Sequence, residues 1–411
     1  VRLLPFLFIL YITNYLDRAS LAYAALGMSR DLGFSDRVFA LGVGMFFIGY
    51  VAFQIPGALL VERWSARRAI SASLIAWGML TVLTGLVHTP AQLYLARFIL
   101  GVAESGFFPG VIVYLSHWFI QEDRAKATAN FMAAIPVSLV IGSPIAGWVL
   151  GHPWLGVQGW RWLFVLEGLP AVLLGITAFF ILPDWPREAS WLASEQHRWL
   201  EETLRSEQSK SGHAITVWES LKSTVALRLG VVSFFANFVT YSFVFWFPTM
   251  LKRQSGISDL RVGLLGALPY LAAFLAMQIN GWRSDQRCER RWHALCPLLV
   301  AAIGSLSVMA RPHSLMLSML FFTMIGLVMA FYPPIWALPT ELLSCSAAAA
   351  AVGMIAAMGN AAGFAGPNVF RYLYTRTGSF SSGLVAMAVA GIVGAMLILG
   401  LPHERSEESA K

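Results

Sequence analysis

The chain has 411 residues, of which 57% are hydrophobic and only 12% charged, against about 25% charged in soluble domains. So few polar side chains cannot coat a soluble globule. Metal clusters of His, Cys and acid, nucleophile motifs and phosphate-binding loops are all missing from the sequence, which sets enzymes aside and calls for no cofactor.

A helix that crosses hydrocarbon needs about 20 mostly apolar residues. Twelve such stretches follow one another, at roughly 3–27, 38–61, 69–88, 91–117, 127–151, 160–182, 224–250, 261–282, 292–310, 314–339, 346–370 and 381–402. Hydrocarbon offers no partner for backbone N–H and C=O groups, and these runs are too long for barrel strands, so helices are the fitting element. The expectation is an all-α integral membrane protein of twelve transmembrane helices. A six-helix bundle over 1–182, a polar cytoplasmic linker over 183–223, and a second six-helix bundle with a short tail over 224–411 make up its domains.

In the first span, Tyr11, Tyr15 and Arg18 recur at i, i+4, i+7 on one helical face, with Asp17 turned about 100° from Arg18. Asp17 is therefore set to meet a neighbouring helix and Arg18 to meet solute. After the second span comes the loop Glu62, Arg63, Trp64, Ser65, Ala66, Arg67, Arg68, and after the eighth comes Asp285, Gln286, Arg287, Cys288, Glu289, Arg290, Arg291. The acid and the Arg pair keep their spacing in both loops, the mark of a repeated half. Repeated six-helix halves are a build used by secondary transporters, with the substrate site near the bilayer midplane between the halves.

The fourth span carries Arg97 and Glu104, seven residues apart and so on one face, about 10 Å apart along the axis. A charge at the bilayer centre costs about 2.5–3.5 kcal/mol on insertion scales. Asp17, Arg18, Arg97 and Glu104 left unpaired would together cost on the order of 10 kcal/mol, so they must face each other or water. A helix-locking pair of Asp17 with Arg97 is the purely structural alternative. Glu167 in the sixth span reads equally as a packing hydrogen bond, and His117 at the end of the fourth as an interface residue. On the opposite half, Asn237 and Tyr241 in the seventh span, Trp336 in the tenth and Asn360 in the eleventh are candidates for a second cavity wall, with Asn368 a packing amide.

Of the 29 Lys and Arg residues, 18 fall in segments that are cytoplasmic when both termini are inside, nine in external ones, and Arg18 and Arg97 within spans. This bias explains the net charge of +7 by topology, with no need for nucleic acid. Cys288, Cys296 and Cys345 have no metal-ligand spacing. The first span lacks a small-residue cleavage site and is expected to stay in the membrane, on a chain trimmed at its N-terminus.

The stretches Tyr15–Arg18 and Arg97–Gly110, together with Gly159–Gly168 and Gly359–Pro367, resemble the major facilitator superfamily, and within it the anion:cation symporters of phthalate, tartrate, hydroxyphenylacetate and sugar acids. The resemblance spans the whole chain. It departs from the family's Asp-Arg-x-Gly loop pattern where Glu62 replaces Asp, Ser65 and Cys288 replace Gly, and Gln286 replaces Arg. It implies proton coupling by Asp17, Glu104 and Arg97, a substrate site at Arg18, Tyr15 and Tyr50, and gating loops built on Glu62, Arg63, Arg67, Arg68, Asp285, Arg290 and Arg291. The implied partners are a small organic anion, protons and the lipid bilayer of a bacterial inner membrane, with the protein a monomer.

Burial favours the neutral form of an acid and a nearby Arg favours its carboxylate, so an anion that draws an Arg away from an acid promotes protonation of that acid. One proton with a monoanion is electroneutral; a second adds about 2.3 kcal/mol per 100 mV. Tyr15, Tyr50, Tyr241 and Trp336 favour an aromatic or hydroxy-carboxylate cargo. Anion exchange, facilitated uptake and a sensor that has lost transport are the competing expectations.

Overall fold

The computed structural model describes residues 3–63, 65–120, 127–128, 130–189, 191–210, 224–310, 314–342 and 345–401. Before the polar interval lie α1 (Leu3–Leu32), α2 (Asp36–Arg63), α3 (Ala66–Thr84), α4 (Pro90–Glu104), α5 (Phe107–Trp118), α6 (Ala134–Leu150) and α7 (Gly159–Ile181). Within the polar interval lies α8 (Ser194–Lys210). After it come α9 (Thr224–Ser255), α10 (Asp259–Arg287), α11 (Arg291–Met309), α12 (Leu315–Gly326), α13 (Tyr332–Leu342), α14 (Cys345–Thr377) and α15 (Phe380–Leu399). Among the described residues, nine segments are long and apolar enough to cross a membrane. The helices α1, α3 and α14, of 30, 19 and 33 residues, complete the twelve spans.

Two spans expected as unbroken helices are interrupted. The fourth breaks between α4 and α5 at Ser105 and Gly106, where the Ser105 Oγ donates to the Val102 carbonyl at 2.8 Å and to the Phe53 carbonyl of α2 at 3.2 Å. The tenth passes through a 3₁₀ turn, Leu327–Phe331, before α13. Its cause is Pro333-Pro334, which supply no N–H to the preceding turn. The Asn280 side chain takes over, donating to the Ala330 carbonyl at 2.8 Å.

The chain packs as two compact units: Val1–Arg18 with Met45–Ser138 and Arg161–His213, and Ala19–Gly44 with Leu139–Trp160 and Ala214–Lys411. In the first, α2 and α4 cross backbone against backbone. A Cβ on Gly49 would lie 2.3 Å from the Phe98 carbonyl oxygen, and one on Gly101 2.1 Å from that of Phe46. Small residues of this kind let membrane helices approach closely without a hydrophobic driving force. The seam sets Phe46 and Tyr50 of α2 beside the buried stripe Leu93, Arg97, Leu100, Gly101 and Glu104 of α4. In the second unit, α6 and α10 approach in the same way at Gly147 and Gly263.

Candidate functional site

The first unit gathers the intramembrane charges. Arg97 is fully buried, Asp17 and Glu104 are 1% exposed and Arg18 5%. An Arg18 guanidinium nitrogen donates to Glu104 Oε1, so the residue expected to meet solute is held by a carboxylate from α4. Its guanidinium carbon sits 4.9 Å from the Tyr15 ring centroid, 5.0 Å from Tyr50 and 5.2 Å from Phe46. Those negative ring faces attract a guanidinium most strongly where water is excluded. Asp17 turns to α3, where Thr81 donates to its Oδ1 at 2.7 Å, as the 100° offset from Arg18 requires.

Arg97 lies 4.9 Å from the Phe46 centroid, and among the described residues none of its three guanidinium nitrogens has a hydrogen-bond acceptor. The charges of Asp17 and Glu104 act on it, and among the described residues it makes no ion pair with Asp17 of the kind the helix-locking alternative supposes. A buried, always-charged fork without acceptors is chemically ready to receive a carboxylate.

In the second unit, the remaining candidates form short hydrogen-bonded links. Tyr332 donates to Asn237 Oδ1 at 2.7 Å, and the Asn237 amide donates to the Ser233 carbonyl at 2.9 Å. Tyr241 donates to Asn360 Oδ1 at 3.1 Å. The Trp336 indole N–H is buried without an acceptor among the described residues. Asn368 bridges to the Ala40 carbonyl at 3.0 Å, the packing role expected of it. Phe46, Thr81 and Tyr332 were not among the sequence candidates, since an aromatic or hydroxyl residue in an apolar run has no distinguishing signal until its neighbours are known.

The loop charges divide. The side chains of Glu62 and Arg63 lie outside the described residues. Arg67 pairs with Asp184 at 3.6 Å and Glu188 at 4.0 Å, both in the segment that follows α7. Ser65, standing where the family has Gly, caps α3 by accepting from the Arg68 N–H at 3.1 Å and donates to Asp184 at 2.6 Å. Arg68 itself is exposed. Across the repeat, Arg290 pairs with Asp285, and Arg291 donates to the Leu399 carbonyl at the end of α15.

Cys288, the other Gly replacement, ends α10 in the left-handed region at φ 49°, ψ 37°. An L-residue there costs about 1–2 kcal/mol. Cys288→Gly is therefore expected to raise stability by about 1 kcal/mol, seen as a higher midpoint in thermal denaturation of the detergent-purified protein; an unchanged or lower midpoint would show that no strain is stored at this turn.

A cavity of about 220 Å³ opens within the second unit, with Arg30, Asp36, Lys252, Arg253 and Asp259 among its lining. Asp259 binds Arg30 at 2.6 Å and Lys252 at 3.0 Å, and Asp36 binds Arg253 at 2.7 Å. These pairs tie the ends of α1 and α2 to α9 and α10. The sequence showed them only as ordinary loop charges.

The profile of the Major Facilitator Superfamily matches residues 7–367 and again 248–411. A protein provisionally named as a tartrate transporter in Agrobacterium vitis is 39% identical over all of this chain and 95% of its own length. The inner membrane transport protein RhmT of Escherichia coli is 32% identical over 99% of this chain and 95% of its own. The structure of the Escherichia coli xylose transporter XylE, inward open, shares the fold at a TM-score of 0.76 and 16% identity, covering 99% of this chain and 97% of that one.

Proposed function

Because the chain belongs to the major facilitator superfamily, a class of membrane transporters, we propose that it carries a small organic anion across the membrane together with protons, by alternating access. The observation that supports this best is the buried Arg18–Glu104 ion pair, with Asp17 and Arg97 enclosed in the same unit. A cargo carboxylate that engages Arg18 displaces the Glu104 carboxylate from its counter-charge. Left in an apolar surround, Glu104 takes up a proton, because the neutral acid is then the less costly form. Arg97, with its unfilled donors, gives the anion a second anchor. Anion and proton thus load together, each making the other's binding favourable.

The tartrate name of the 39% relative supports a hydroxy-carboxylate cargo, and the ring-lined setting of Arg18 supports a flat or aromatic acid equally. Loops after even-numbered spans, where Arg67, Arg68, Arg290 and Arg291 lie, face the cytoplasm in this reading. Both termini do so too, and the protein acts as a monomer in the bacterial inner membrane.

The test is flux in proteoliposomes with a pH-reporting dye inside. Tartrate, nicotinate and galactarate are offered outside, with xylose as the neutral control. The expected result is that one of the acids enters with acidification of the lumen and accumulates uphill under an inward proton gradient. Saturable uptake with no proton movement would make the protein an exchanger or facilitator instead.

A further inference from the structure

Around the cavity of the second unit the charges do not balance. Among the described residues that line it, Arg30, Lys252 and Arg253 stand against Asp36 and Asp259. Arg253 closes on both oxygens of Asp36, at 2.7 and 2.9 Å, and donates to the Tyr374 hydroxyl of α14 at 3.1 Å. Asp259 is left to answer two cations: its Oδ2 binds Arg30 at 2.6 Å, and its Oδ1 faces the Lys252 ammonium at 3.0 Å. The second contact is an ion pair without a hydrogen bond. Lys252 donates instead to the Ile257 carbonyl at 2.5 Å, and Oδ1 accepts from no donor among the described residues. One positive charge is therefore in excess, and the ammonium, with three donors, is the cation least engaged.

The excess continues past the lining. Arg37, Arg261, Arg371 and Arg376 stand at the same ends of α2, α10 and α14, against Asp31 of α1, which accepts from the Trp160 indole at 2.9 Å. In the orientation proposed above these ends face outward, where Lys and Arg are the exception. Topology does not call for them there. An approaching anion does, because a cleft lined by one sign of charge raises the local concentration of the other. A fastening between helices also needs no empty space, yet about 220 Å³ lies among these groups, bordered by the small Ala22, Ala25 and Ala40 and the rings of Phe39, Phe245 and Trp246. Sites for drug-sized ligands take about 300–1,000 Å³, so the occupant is a smaller molecule of one ring or one short chain. We propose that this cavity is a reception site for a small organic carboxylate, which sets its charge on Lys252 and Arg30 and its ring or chain against the three aromatic side chains. None of Asp17, Arg18, Arg97 and Glu104 lines it, so it is a second site and not an arm of the first. Its place on the cargo's route rests on the symport reading, but the binding can be observed with no transport at all.

The experiment is fluorine NMR of 4-fluorobenzoate with the detergent-purified full chain carrying Arg18→Ala and Glu104→Gln, which takes the buried ion pair out of the comparison. The uncharged control is 4-fluorobenzyl alcohol. The benzoate line is expected to broaden saturably, and the alcohol line is not. Adding Lys252→Gln should weaken benzoate binding about tenfold or more, the effect of losing one hydrogen bond to a charged group. Ala25→Leu, which fills space and alters no charge, should weaken it as much, while Lys252→Arg should retain it. Thermal midpoints taken beside the spectra show that each variant is folded, and Ala25→Leu decides the matter if Lys252→Gln is not. Absence of saturable benzoate binding in the starting protein would overturn the proposal. So would binding that withstands Ala25→Leu, or alcohol binding equal to that of benzoate. If flux proceeds without proton movement while cavity binding holds, the symport reading falls and the reception site stands; if coupled flux holds and cavity binding fails, the reception site alone falls.

Discussion

Arg18→Ala is expected to reduce saturable anion uptake by at least two orders of magnitude and to lower the thermal midpoint of the purified protein. The guanidinium is paired with Glu104 and enclosed by Tyr15, Phe46 and Tyr50, so its loss removes the cargo's counter-charge and strands a buried acid. Breaking a buried pair by deleting one partner typically costs about 3–5 kcal/mol, because the remaining charge is uncompensated. Arg18→Ala combined with Glu104→Gln should recover most of the lost stability and none of the uptake, a non-additivity that separates folding from function. Arg18→Lys should keep the protein folded but transport poorly, since an ammonium neither forks to a carboxylate nor stacks on rings as a guanidinium does. Initial rates in proteoliposomes beside thermal midpoints decide the matter; uptake within tenfold of wild type in Arg18→Ala would remove this residue from the cargo site.

The second large effect is expected at a residue that bears no charge itself. Gly101→Ala places a Cβ 2.1 Å from the Phe46 carbonyl oxygen and 2.9 Å from the Tyr50 nitrogen, both backbone atoms of α2 that no rotamer change can move. Relief requires α2 and α4 to part, which draws Phe46 and Tyr50 away from the two guanidiniums they face. Uptake is expected to fall more than tenfold with a lower thermal midpoint, and Gly49→Ala, 2.3 Å from the Phe98 carbonyl, should behave alike. Gly353 is the control: nothing lies within 4 Å of a Cβ there, and Gly353→Ala in α14 should transport normally and gain up to about 1 kcal/mol of helix stability. Normal uptake in Gly101→Ala would show that the crossing does not set the site.

The twelve spans were legible because long apolar runs leave a chain no other arrangement in a bilayer. Among them α1 carries Asp17 and Arg18 within its apolar run. The stripe of Arg97 and Glu104 was legible from helical period alone, and so was the divergence of Asp17 from Arg18. The pairing of Arg18 with Glu104 was not, since it depends on how α1, α2 and α4 cross, and no periodicity within one helix encodes a neighbour's register. The same holds for Thr81 on Asp17, for Tyr332 on Asn237, and for Asp184 clasping Ser65 and Arg67 from a segment more than a hundred residues away. The breaks in the fourth and tenth spans had local causes, Gly106 and Pro333-Pro334, but apolar content hid them.

The charges around the cavity of the second unit differ in kind from those in the first. Arg30 is 59% exposed and Arg253 40%, so dissolved ions reach them, and screening shortens the range of such pairs from about 10 Å at 0.1 M salt to about 3 Å at 1 M. Arg18 and Glu104, sealed from water, feel none of this. A rise in salinity on the side where α1 meets α2 therefore loosens the fastening there while leaving the Arg18–Glu104 pair untouched. The protein thus holds two kinds of fastening, one that the salt of the medium loosens and one that salt does not reach.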